Sequence, residues 1–65
     1  MNSAESYVRR IRNVSKRYYA EAYLRWLQAG RPEHREPLRP NNLSYMAAQA
    51  VRLELCDLTA AHTLT

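Results

Sequence analysis

Five basic side chains within nine positions are the most pronounced chemical feature of this sequence. No acidic residue interrupts the group, which consists of Arg9, Arg10, Arg12, Lys16 and Arg17. Clustered cations of this kind bind phosphate backbones or acidic protein surfaces. The same pattern is also typical of a solvated helix face that binds nothing. The sequence leaves these interpretations open, but it confines the excess charge to residues 1–30, which hold six cations and two acids.

Aromatic residues accompany the basic cluster. Five of the six lie in the first half of the chain, at Tyr7, Tyr18, Tyr19, Tyr23 and Trp26, and phenylalanine is absent. Tyrosine, tryptophan and arginine are the usual anchors of protein interfaces. We expect Tyr18 and Trp26 to pack in the core. We expect Tyr23, which lies off the main apolar stripe, to bind a partner together with Tyr7 and the basic residues.

The candidates for catalysis or metal binding are few. Cys56, Asp57 and His62 lie close together in sequence, but a nucleophilic cysteine needs a fixed cleft and groups that stabilise an oxyanion. A chain of 65 residues with one cysteine and two histidines offers neither an internal disulfide nor a dedicated metal site. We therefore predict no enzymatic activity, no cofactor and no metal.

The elements that position these residues are predicted to be helices, so the fold class is all-α. Apolar residues recur at helical spacing over residues 4–29, and Gly30 followed by Pro32 is a helix-terminating signal. Residues 30–42, with three prolines, form a linker. A second helix covers residues 43–58, capped by Asn42 or Ser44, and residues 59–65 form a tail.

The lengths of the two helices predict how they pack. The linker is long enough for the second helix to fold back as an antiparallel hairpin on the C-terminal part of the first. The N-terminal turns of the first helix would then project with an uncovered apolar stripe. A second copy of the chain would cover that stripe and complete a four-helix arrangement. The predicted dimer interface is Tyr7, Val8, Ile11 and Val14.

Two functions remain, and the aromatic excess together with the absence of a groove-reading geometry favours the first over the second. The first is a non-enzymatic, cytoplasmic binding protein that acts by protein–protein contact, as a phage- or plasmid-type inhibitor or adaptor of a host protein with an acidic or apolar surface. The second is a basic regulator that binds nucleic acid. A standard helix-turn-helix is disfavoured, because that motif needs a turn of about 3–4 residues and the proline-containing linker is much longer. No apolar run approaches the ~18 residues of a membrane span.

Overall fold

Three α-helices make up the part of the chain that the structure, a computed structural model, describes. That part comprises residues 3–32 and 35–64, with the backbone alone for residues 61–64. The helices are α1 (Ser3–Arg10), α2 (Val14–Gln28) and α3 (Tyr45–Leu64), and each packs against the other two. No strand occurs in these ranges. The all-α prediction is confirmed, whereas the prediction of two helices is wrong. The proposed cap at Asn2 lies outside the described residues.

The predicted helix over residues 4–29 is interrupted at residues 11–13. The Val8 carbonyl accepts the Ile11 N–H at 3.2 Å, which closes the last turn of α1. Asn13 then adopts an extended conformation, and its side-chain oxygen accepts the Lys16 N–H at 2.9 Å, as an N-cap does. Asparagine favours such caps because its side chain competes for backbone donors. A single Asn13 therefore begins a new helix where apolar periodicity alone predicts continuity.

The end of α2 follows the sequence signal. Gly30 has φ of 93°, and its N–H donates to the Leu27 carbonyl at 3.2 Å. The Arg31 N–H donates to the Trp26 carbonyl at 3.1 Å, which completes a Schellman motif. The Trp26 indole N–H also donates to the Pro32 carbonyl at 2.7 Å. The prediction that Gly30 ends this helix is confirmed.

The segment after α2 leads directly to α3. The Ser44 hydroxyl accepts the Ala47 N–H at 3.1 Å, so Ser44 rather than Asn42 caps α3. The Asn42 amide instead donates to the Ser15 hydroxyl at 2.6 Å, which holds the start of α3 beside the start of α2. Leu43 is buried at this junction. The predicted helix start at residue 43 is two residues early, and the helix continues beyond the predicted end at residue 58.

α2 and α3 run in the same direction. Asn42 contacts Ser15 at the start of both helices. Further along, Tyr19 interacts with Arg52, and Tyr23 interacts with Cys56. Residue numbers therefore increase together on the two helices, which is the register of a parallel pair. The predicted antiparallel packing of these two helices is thus corrected: the linker returns along α2 before α3 begins.

The core draws on all three helices and includes residues that were expected to be bare. Its buried members are Ala4, Val8, Ile11, Tyr19, Ala20, Tyr23, Leu24, Leu43, Ala48, Val51 and Leu55. Val8 and Ile11 are only 6% and 8% exposed within a single chain. Because α1 packs against α2 and α3, no bare overhang of Val8 and Ile11 exists. A dimer is therefore not needed to cover Val8 and Ile11. Val14, the fourth predicted interface residue, is 71% exposed.

Candidate functional site

Three cations line one depression at the turn between α1 and α2. We call Arg10, Arg12 and Lys16 the basic corner. The depression has a volume of about 340 Å³ and is also lined by Tyr7, Ile11 and Asn13. Arg10 and Arg12 are exposed and Lys16 is half-buried. Among the described residues, no acidic side chain lines this depression.

The start of α2 adds to the positive potential of the basic corner. The N-terminus of a helix carries a partial positive charge, so acidic residues stabilise its first turn and basic residues do not. The first turn of α2 holds no acid, and it holds Lys16 and Arg17 instead. This arrangement costs the free protein some stability, and a bound anion would offset that cost.

The remaining cations of the cluster lie on a different side of the helix pair. Arg9 and Arg17 line a depression of about 300 Å³ together with Arg25. Two acids, Glu5 and Glu21, line the same depression. We call Arg9, Arg17, Arg25 and these two acids the paired side. The five clustered cations thus form two groups with different neighbours, and each of the two helices contributes to both groups.

Arg17, on the paired side, interacts with other groups of the protein. Its guanidinium Nε lies 3.9 Å from a Glu21 carboxylate oxygen, and its Nη1 donates to the Ile11 carbonyl at 3.4 Å. Arg25 lies 4.0 Å from the other oxygen of Glu21. One carboxylate thus faces two guanidinium groups, and Arg17 also supports the turn. These pairs are solvent-exposed and contribute little to stability, at most about 1 kcal/mol each.

Tyr7 and Arg10 border a second depression in addition to the basic corner. Glu54 of α3 lines that neighbouring depression with both of them. Burial, followed by the negative charge of Glu54, raises the pKa of the Tyr7 hydroxyl above its ordinary value. Arg10 consequently has an acid on one flank, whereas Arg12 and Lys16 lie on the side of the corner without one.

The aromatic residues are distributed differently from the prediction. Tyr23 is 5% exposed, and its ring packs 5.3 Å from that of Trp26 and 5.9 Å from that of Tyr19, centroid to centroid. Burial, together with the Cys56 thiol, raises the pKa of Tyr23 to about 12. Tyr23 is therefore a core residue and not an accessible partner anchor. Tyr18, expected in the core, is 71% exposed, and Trp26 is half-buried.

Of the seven predicted partner-binding residues, the structure gathers Tyr7 and the basic corner into one place. It sets Arg9 and Arg17 apart on the paired side and buries Tyr23. Asn13, which both caps α2 and lines the depression, was missed. The signal for it was present, since asparagine followed by a helical segment is a common start of a helix.

Comparison of the chain with protein families, curated proteins and solved structures gives no match. Within the described residues, no helix combines the length and apolar character needed to cross a membrane.

Proposed function

We propose that this protein binds the phosphate backbone of nucleic acid through the basic corner. The observation that carries the proposal is the convergence of Arg10, Arg12 and Lys16 on one depression whose described lining contains no acid. Three converging cations beside the N-terminus of a helix form a suitable site for phosphate groups. The role is binding without catalysis.

The turn between α1 and α2 supports duplex binding. A turn of residues 11–13 joins the two helices, and a helix-turn-helix uses a turn of about 3–4 residues. The long linker, which argued against that motif, separates α2 from α3 instead. The proposal concerns phosphate contacts, which position a protein on nucleic acid and carry no sequence information.

The test is the salt dependence of binding to a random-sequence duplex, measured by fluorescence anisotropy. We expect log affinity to fall linearly with log salt, with a slope of roughly −0.9 per phosphate contacted. Replacing Arg10, Arg12 and Lys16 together by Gln should weaken binding at least about tenfold and reduce the slope by about 2–3.

A variant that loses the same charge on the paired side is the matched control. Replacing Arg9, Arg17 and Arg25 by Gln changes the net charge equally, but those cations face Glu5 and Glu21. We expect this control to lose no more than about threefold in affinity, an effect of long-range charge alone. Equal losses in the two variants, or no duplex binding at about 50 mM salt by the wild type, would contradict the proposal.

Protein contact remains the second candidate, favoured by one specific observation. Val14 and Tyr18 are each 71% exposed and lie one turn apart on the outer face of α2. An exposed tyrosine beside arginines is typical of interface anchors. If the protein acts as an inhibitor or adaptor of a host protein, Tyr18→Ala should weaken that complex, and duplex binding should be negligible at about 150 mM salt.

A further inference from the structure

The outer face of α3 is apolar and lacks a covering element among the described residues. Met46 and Leu53 are 81% and 63% exposed, and Ala60, also exposed, continues the same line. These three positions are seven residues apart, the spacing of equivalent positions in a helix that pairs with another helix. Gln49 and Ala50, between the first two, are exposed as well.

The two flanks of this face carry opposite charges. Arg52 lies on one flank, with its guanidinium carbon 5.8 Å from the centroid of the Tyr45 ring. Asp57 lies on the other flank and is exposed. If Met46 and Leu53 occupy position a of a heptad, Arg52 occupies position g and Asp57 position e. Oppositely charged g and e residues pair across two parallel helices and set their orientation.

We infer that a second copy of this chain covers the outer face of α3, with the two α3 helices parallel. In that arrangement Arg52 of each copy faces Asp57 of the other, so two ion pairs form across the twofold axis. In an antiparallel pair, the flank that carries Tyr45 and Arg52 would face the same flank of the other copy. The two Arg52 side chains would then lie on facing flanks. The charge pattern is therefore self-complementary in a parallel pair, which favours a second copy as the occupant and sets its direction.

Two further observations support a second copy. Residues 43–65 carry one cation and two acids, so the dimer would form at the least basic part of a chain whose net charge is +4. A chain of this size buries only about 60% of its unfolded surface, and association is a common source of additional stability for small domains. Because one helix pair makes a small interface, we expect dissociation in roughly the micromolar range.

The parallel dimer has a consequence for the basic corner. α2 and α3 begin side by side, joined by the contact of Asn42 with Ser15. In the parallel dimer the twofold axis runs parallel to the two α3 helices, so both basic corners lie at the same end of the dimer. An antiparallel dimer would place them at opposite ends. Two corners at one end suit the two half-sites of a duplex. The dimer itself does not depend on the proposed function.

Analytical ultracentrifugation without nucleic acid tests the association. We expect the wild-type chain to reach twice its 7.6 kDa mass over the micromolar range. Leu53→Asp should leave a folded monomer at every concentration, because this side chain is exposed. Leu38→Asp is the matched control: Leu38 is 90% exposed but lies in the linker, so the dimer should persist. A wild-type monomer at about 500 μM, or a dimer unaffected by Leu53→Asp, would overturn the proposal.

A disulfide experiment tests the orientation. In a Cys56→Ser background, Met46→Cys should form a covalent dimer on mild oxidation, since residue 46 meets its own equivalent only in a parallel pair. Leu38→Cys in the same background should remain uncrosslinked. A noncovalent dimer in which Met46→Cys fails to crosslink would contradict the parallel arrangement.

Discussion

The basic corner and the paired side are built from the same two helices and the same residue types, yet they differ in what surrounds their cations. On the paired side, Glu21 lies within 4.0 Å of both Arg17 and Arg25. The basic corner has no acid among its described lining residues, and its Arg10, Arg12 and Lys16 face a common depression. The cations of the paired side interact with acids of the protein itself, whereas Arg12 and Lys16 of the basic corner face a depression whose described lining has no acid and can bind an external anion.

This difference shows that position along the chain does not decide the role of a charged residue. Lys16 and Arg17 are adjacent in sequence, yet they belong to opposite regions because they lie about 100° apart around α2. Arg9 and Arg10 of α1 are separated in the same way, whereas the turn at residues 11–13 brings Arg10 and Lys16 to one depression. The spatial grouping of these cations therefore cannot be read from their order in the sequence.

Alkaline pH tests the shared scaffold of both regions and has the largest expected effect. The pKa of Tyr23 is raised from 10.0 to about 12 in the folded protein, so folding favours its protonated form. That contribution is complete below about pH 10 and is lost as the pH rises towards 12. We expect urea denaturation to show about 1–3 kcal/mol less stability at pH 11.5 than at pH 9.

Tyr23→Phe should flatten this loss, because it removes the titrating hydroxyl from the core. Tyr18→Phe, at a position that is 71% exposed, is the matched control and should leave the pH profile of the wild type unchanged. If both variants lose stability with pH as the wild type does, Tyr23 does not control the alkaline limit.

An acid placed in the basic corner should make that region resemble the paired side. Asn13→Asp keeps the α2 cap, because aspartate caps a helix as well as asparagine does, and it adds a carboxylate to the depression. We expect duplex affinity to fall about 5–10-fold at low salt with no loss of thermal stability. Asn13→Ser, which keeps a capping oxygen without the charge, should bind as the wild type does. A similar loss in both variants would indicate a geometric rather than an electrostatic cause.

Removing one of the two acids from the paired side is the converse change and has the smallest expected effect. Glu21→Gln releases Arg17 and Arg25 from their shared carboxylate. Duplex affinity should increase about twofold, and stability should fall by less than about 1 kcal/mol, as for exposed ion pairs. Unchanged affinity together with unchanged salt dependence would mean that the paired side lies too far from the nucleic acid to contribute.

The sequence predicts the elements with strong local signals. Gly30 with Pro32 ends α2 as expected, and the apolar spacing gives the all-α class. The sequence also predicts that the clustered cations, Tyr7 and Tyr23 bind a partner, and the structure gathers Tyr7 with three of those cations but buries Tyr23. Local chemistry determines these features, so they can be inferred without knowing the packing.

The packing of the helices could not be predicted from local signals, because the break at residues 11–13 moves the apolar positions to a different face of the helix. Val8 and Ile11 lie on one stripe with Val14 and Tyr18 only if the helix is continuous. After Asn13 restarts the helix, Tyr19, Ala20, Tyr23 and Leu24 form the buried face, and Val14 and Tyr18 face outward. The direction of α3 depends on tertiary contacts such as that of Asn42 with Ser15, which no local pattern encodes.

The most direct test of the account is an amide chemical-shift titration with a short random duplex. Binding at the basic corner predicts that the largest shifts fall on residues 10–16, including the Val14 and Ser15 amides at the start of α2. Residues 21–28, which hold Glu21 and Arg25 of the paired side, should shift little. Shifts centred on residues 21–28 or on α3, or an unchanged spectrum at saturating duplex and low salt, would contradict the account.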